Sequence, residues 1–225
     1  MTRLTEKRIH EQADQQIAAA IAGAEARSAA EIAVAILPRA DRYRLTALLA
    51  SVTLFALVYM LSIWLDAGAL LPTTAAGSGA WLALPDWAGP LFAVCLTIAF
   101  FLICEHSPLG IWLTLAARRR QACRTRAKLL FLDQGIDATH DRLGLLICLC
   151  LAERQIDILP DRGISAVLPA ERWVQLIETF RRSKANLPLE QAVAGLVGAV
   201  ADELAQHFPP RPDQINELPD RPIRV

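Results

Sequence analysis

LLICLCLAERQIDILPDRGI, residues 145–164, decides the fold of this chain. Leu145–Leu151 is apolar at every position, so both faces of an extended segment there are covered, which is the signature of an interior strand. Ala152–Gln155 supplies a polar break. It contains no glycine, so the turn is expected to be longer than a tight two-residue loop. Ile156 and Ile158 alternate with Asp157 in a second strand, and Pro160 closes it because proline cannot donate to a ladder.

Working outward, the hairpin needs partners, and one lies far upstream. EIAVAIL, Glu31–Leu37, places Ile32, Val34 and Ile36 on one face and alanines on the other before Pro38 stops it. We expect it to join the hairpin's sheet. The helix before it carries Ile9, Ala13, Ile17, Ile21 and Ala24 at spacings of three and four. Downstream, Arg118–Leu132 is basic on one side, carries Ala122, Ala127, Leu130 and Phe131 on the other, and stops at Gly135. Pro169 opens a helix with Trp173, Leu176, Ile177 and Phe180 at core spacing. Asn186 is placed to cap another, with Leu189, Val193, Leu196, Val200 and Leu204 as its buried stripe and Pro209–Pro210 at its end. The fold class expected is α/β, a small mixed sheet covered by helices.

Between strand and hairpin lie two apolar blocks. The chain has 225 residues and is 54% hydrophobic, with 23 basic against 23 acidic side chains. Its mean hydropathy of +0.33 comes from blocks rather than from an even spread. Leu45–Leu65 carries no charge, and as a helix it would measure about 31 Å, near the thickness of a bilayer core. Trp87–Cys104 is also uncharged, and Tyr59, Trp64, Trp81 and Trp87 lie near the block ends, where interfacial aromatics collect. Arg39, Arg42 and Arg44 precede the first block and Arg118, Arg119, Arg120, Arg124, Arg126 and Lys128 follow the second, while 66–86 has no Lys or Arg. These features predict a two-helix transmembrane hairpin with both termini cytoplasmic and a bacterial inner-membrane location.

The expected organisation is therefore 1–44, the first part of a cytoplasmic domain; 45–65, a transmembrane helix; 66–86, an extracytoplasmic loop; 87–104, a second transmembrane helix; 105–117, an interfacial linker anchored by Trp112; and 118–225, the rest of the domain. Arg118, Arg119, Arg120 and Arg124 would meet anionic headgroups, each worth about 1 kcal/mol where suitably placed. The same position argues for lipid rather than nucleic acid as the partner of this basic cluster.

The run from the basic helix into FLDQGIDATHDRLGLLICLCLAERQIDILPDRGI, then Trp173, a small-residue helix and NELPDRPI, together with EIAVAI upstream, resembles the TPM-domain family (TPM phosphatase, YgcG-like), in particular its bacterial membrane branch. The resemblance implies a TPM-like sandwich with a sheet of about four strands. It also implies either an accessory module of a membrane or envelope complex, with LemA-type or other TPM-domain membrane proteins as partners, or a phosphatase that uses Ca2+ or Mg2+. For the second role the candidate catalytic residues are Asp161, Asp137, Asp141 and Glu171, with Asp133 and Asp161 as metal ligands. Where many relatives carry a glycine-rich turn followed by acidic positions, this chain has Leu159–Gly163 and then a stretch offering only Glu171. The leading expectation is an accessory binding module with little or no catalysis.

Other chemistry weighs less. Cys148 and Cys150 would point to one side of a strand and with Cys123 could hold a soft metal. Cys-x-Cys within an apolar run reads first as core packing, however, since cysteine is among the most buried residue types. His10, His106, His140 and His207 form no helical ligand pair. His140 shares the loop before the central strand with Asp137, Thr139 and Asp141, which otherwise reads as a polar turn. Asp161 follows a strand end, where α/β sheets place sites, and could equally cap a short helix. Glu153 and Arg154 read as a solvated turn.

Overall fold

The computed structural model describes residues 2–41, 43–67, 88–106, 109–139, 141–211 and 216–224. The chain divides into two compact units, Met1–Ala40 with Arg119–Val225, and Asp41–Arg118.

The first unit is a mixed α/β fold. Strands β1 (Glu31–Leu37), β2 (Gly144–Cys150), β3 (Gln155–Pro160) and β4 (Ile223–Arg224) form one sheet in the order β3-β2-β1-β4. β1 runs parallel to β2, pairing Val34 with Ile147, and parallel to β4; β2 and β3 are antiparallel. The upstream strand and the hairpin thus meet in one sheet, although more than a hundred residues of sequence separate them.

Alternation along the two central strands explains the layers. Ile32, Val34, Ile36, Leu145, Ile147 and Leu149 face one side, where α1 (Thr2–Glu25), α7 (Ala170–Lys184) and α8 (Leu189–His207) supply Ile17, Ile21, Trp173, Phe180, Val193, Val197 and Leu204. The other face carries smaller groups, Ala33, Ala35, Cys148 and Cys150, with Leu37 and Leu146. A single helix, α5 (Ala116–Asp133), covers it with Cys123, Ala127 and Leu130. Small side chains on that face let the one helix lie close to the sheet.

Turn chemistry sets the ends. Gly135, at φ 67°, stops α5 in the left-handed conformation that costs glycine nothing. Gly144 begins β2 where an added Cβ would collide with the Ile136 carbonyl oxygen, so only glycine lets the 3-10 turn Ile136–Ala138 cross the strand there. The β2–β3 turn occupies 151–154, with Arg154 at φ 53°. Glu153 is not solvated as the sequence suggested: it is 1% exposed, and its Oε1 accepts from the Ala40 amide at 3.0 Å. Asn186 does not cap α8 either; Pro188 occupies that position, and the Asn186 amide donates to the Ser183 carbonyl at the end of α7.

The second unit contains α2 (Arg44–Ala67), α3 (Ala88–His106) and α4 (Leu109–Leu113), which pack on one another. Here the sequence expectation is corrected. Among the described residues, no helix is long and apolar enough to cross a membrane. α3 opens on Ala88, Gly89 and Pro90 and closes on Glu105, so its strongly apolar part, Leu91–Cys104, measures only about 21 Å at helical rise. Arg44 at the start of α2 and Glu105 near the end of α3 join in an ion pair with Nε–Oε1 at 2.9 Å. The two-helix transmembrane hairpin is therefore withdrawn, and with it the multi-pass inner-membrane location with both termini cytoplasmic. Most of the expected loop 66–86, with Trp81 and the adjacent Trp87, lies outside the described residues.

Candidate functional site

Three thiols converge beneath α5. Cys148 and Cys150 alternate onto the α5 face of β2, as residues two apart on a strand must, and Cys123 descends on them from the helix. Each is buried at 1% exposure or less, and the three sulfurs lie within 4.8 Å of one another. Among the described residues, this is the one group of three or more Cys, His, Asp or Glu side chains whose ligand atoms converge closely enough to share an ion. None of the five cysteines is in a disulfide.

A carboxylate lies on the same face of the sheet. Asp157 on β3 is directly opposite Cys148 in the ladder, and cross-strand neighbours share a face, so its side chain lies on the thiol side of the sheet. Beside it opens a cavity of about 490 Å3 lined by Cys123, Asp157, Arg120, Arg124, Glu178 and Arg181, among others. Proton affinities within the group are divided. Hydrogen bonds from the Cys148 and Cys150 thiols pull Cys123 below the ordinary thiol range. Cys148 and Cys150 are pushed up, because their protons are engaged with Cys123 and burial disfavours a second thiolate. Burial also raises Asp157, an effect that the nearby Arg124 charge opposes.

The acidic residues singled out from sequence are dispersed over other elements. Asp161 is the N-cap of α6 (Arg162–Ser165): its Oδ1 accepts from the Arg162 amide at 2.7 Å, and its buried Oδ2 has no partner. Asp141 pairs with Arg211 at 2.5 Å. Asp137 lies in the 3-10 turn, where its carbonyl accepts from Arg142. Asp133 ends α5, and Glu171 sits exposed in the first turn of α7. His140 lies outside the described residues. None of these carboxylates belongs to a converging metal-ligating group among the described residues, so nothing in their placement recommends Ca2+ or Mg2+. Of the basic residues, Arg118, Arg120 and Arg124 are exposed and Arg119 is half-buried.

A second pocket escaped the sequence reading. Glu25, Glu31, Asn216, Asp220 and Arg211 line a space of about 290 Å3 at the end of α1. Glu25 Oε1 accepts from the Ile32 amide at 3.0 Å, and Glu31 Oε2 accepts from the Leu218 amide at 3.3 Å. Burial, reinforced by Glu31 and Asp220, raises the Glu25 carboxyl to about 8 despite its bond to Ile32. The pocket's lining joins the end of α1 and the start of β1 to Pro210, Arg211, Asn216 and Asp220 far downstream, and nothing local in the sequence marks that they meet.

No family model and no curated protein matches the chain. Among solved structures it is similar to the NMR structure of the BA42 protein from the psychrophilic bacterium Bizionia argentinensis, with a TM-score of 0.54 at 15% identity over 95% of this chain and 93% of that one. The likeness is one of fold.

Proposed function

We propose that this chain is a binding module without catalysis of its own, which docks on an anionic lipid surface and there engages a membrane or envelope protein. The reading accords with the TPM-domain resemblance, whose accessory members suggest LemA-type or other TPM-domain proteins as partners.

One observation carries it. Trp112 is 80% exposed and Leu115 78% exposed, and the exposed Arg118 follows at the start of α5. Indole rings favour the headgroup level, and neighbouring arginines gain from anionic lipid. α2 and α3 add exposed Leu45, Leu49, Val52, Leu91, Ile98 and Leu102 to the same unit, far more apolar surface than a free monomer ordinarily leaves to water. This docking is peripheral and needs no helix to span. A phosphatase dependent on a divalent cation has less support, because its candidate carboxylates do not converge.

Flotation of the purified chain with phosphatidylglycerol and with phosphatidylcholine vesicles tests the reading. Binding to the anionic vesicles is expected, to be weakened by salt and by Arg118→Gln, and lost in Trp112→Ala/Leu115→Ala. Failure to float with either lipid would overturn the lipid-docking role. Turnover of phosphomonoesters that Asp161→Ala abolishes would overturn the non-catalytic one.

A further inference from the structure

We propose that Cys123, Cys148 and Cys150 form a binding site for Zn2+ and that Asp157, on the same sheet face but outside the converging group, turns in as the fourth ligand. The donor set selects the ion: thiolate sulfur suits soft or borderline cations, whereas Ca2+ and Mg2+ require oxygen cages. Zinc bonded to sulfur at about 2.3 Å in a tetrahedron holds its sulfurs about 3.8 Å apart. The three sulfurs already lie within 4.8 Å, so closure needs side-chain rotation and not movement of the helix.

Core packing alone does not account for the arrangement. A cysteine alone is an ordinary core filler, but packing gives no reason to gather three thiols within 4.8 Å on one face and to set the Asp157 carboxylate across the ladder from one of them. The cavity beside Cys123 and Asp157 gives an ion an entry path. Arg120, Arg124 and Arg181 around that cavity offset the excess negative charge of three thiolates and a carboxylate about one divalent ion. A disulfide is a poorer use of the same atoms. Cys148 and Cys150, on one strand face, have Cβ atoms about 7 Å apart, beyond the reach of a bond, so any disulfide would take Cys123 and strand one buried thiol.

The full-length chain, purified with a reductant and stripped by a chelator, is titrated with Zn2+ against a competing indicator and with Co2+ by absorbance. We expect one ion per chain, with Co2+ giving the intense thiolate charge-transfer and tetrahedral d–d bands. Each of Cys123→Ser, Cys148→Ser and Cys150→Ser should weaken Zn2+ by about tenfold or more, and Asp157→Asn should alter the Co2+ d–d bands while leaving the thiolate bands. Because a cysteine variant in the core can fail to fold, alkylation of the wild-type chain provides a second measurement. Zn2+ should protect Cys123, Cys148 and Cys150 while the exposed Cys95 reacts at the same rate with or without the ion. A fully reduced chain that takes up no stoichiometric Zn2+, or one in which Zn2+ leaves the alkylation of the three thiols unchanged, would overturn the site. So would Co2+ spectra without thiolate bands.

Discussion

Asp157 stands across the β2–β3 ladder from Cys148, on the face that α5 covers. Its carboxyl is held above the ordinary carboxylate range chiefly by burial, against the pull of Arg124. An acid raised in the folded state contributes stability that is present below its unfolded value and lost as pH rises through the folded one. In chelator-treated protein, Asp157→Asn is therefore expected to match or exceed the wild type in urea midpoint near neutral pH. Its advantage should shrink as the pH is lowered into the carboxylate range. With Zn2+ present the order reverses if Asp157 is a ligand, so urea melts with and without the ion separate the two roles of one side chain.

Neighbouring positions on β2 respond differently because they face different layers. Ile147 is fully buried against the helices of the thicker layer, and Ile147→Ala should cost about 2–5 kcal/mol. Cys148→Ala removes one sulfur from the thinner layer and should cost only about 1 kcal/mol in metal-free protein. Urea denaturation of both variants checks this. Similar losses at the two positions would mean that the α5 face is packed as tightly as the other.

The sheet was legible because its periodicity is local. EIAVAIL and LLICLCL announce interior strands wherever they fall in a chain, and Trp173 with Phe180, or Val193 with Val200, announce amphipathic helices. β4 left no such signal: it is two residues long, directly after Pro222. Cys-x-Cys revealed that two thiols share a face, but only the descent of α5 determines that Cys123 completes the group. The apolar blocks misled because the absence of charge does not by itself make a helix long and apolar enough to cross a membrane. Ala88–Pro90 and Glu105 leave the strongly apolar part of α3 short at both ends. Glu153 misled in the opposite direction, since a turn glutamate becomes buried when a distant amide, that of Ala40, needs an acceptor.

Glu25 makes a pH prediction of definite sign. Its carboxyl is raised from 4.5 to about 8, first by burial and then by Glu31 and Asp220, while the Ile32 amide opposes the rise. The folded chain thus holds a proton that the unfolded chain releases. The stability from this group is complete below about 4.5 and declines as pH rises through about 8. Glu25→Gln mimics the protonated form and keeps the acceptor for Ile32. The wild-type chain should fall behind the variant steadily across that window in urea midpoint. A difference that stays constant with pH would show that Glu25 ionises as freely in the folded chain as in the unfolded one.

Asp161 separates a structural carboxylate from a chemical one. Its Oδ1 closes the first turn of α6 on the Arg162 amide. At Gly163, one residue on, an added Cβ would stand 2.7 Å from the Arg142 carbonyl oxygen, so the cap holds α6 tightly against the loop that precedes β2. Losing such a cap costs about 1 kcal/mol, and serine, also a good N-cap, recovers most of it. Asp161→Ala should thus lower stability by about that amount, and Asp161→Ser by less. A carboxylate that ligated a metal or moved a proton would behave otherwise, since serine could replace neither function. Urea melts of the two variants, run beside a phosphomonoester assay, distinguish the cases: graded stability with no activity to lose marks a cap, while equal and complete loss of turnover in both marks a catalyst.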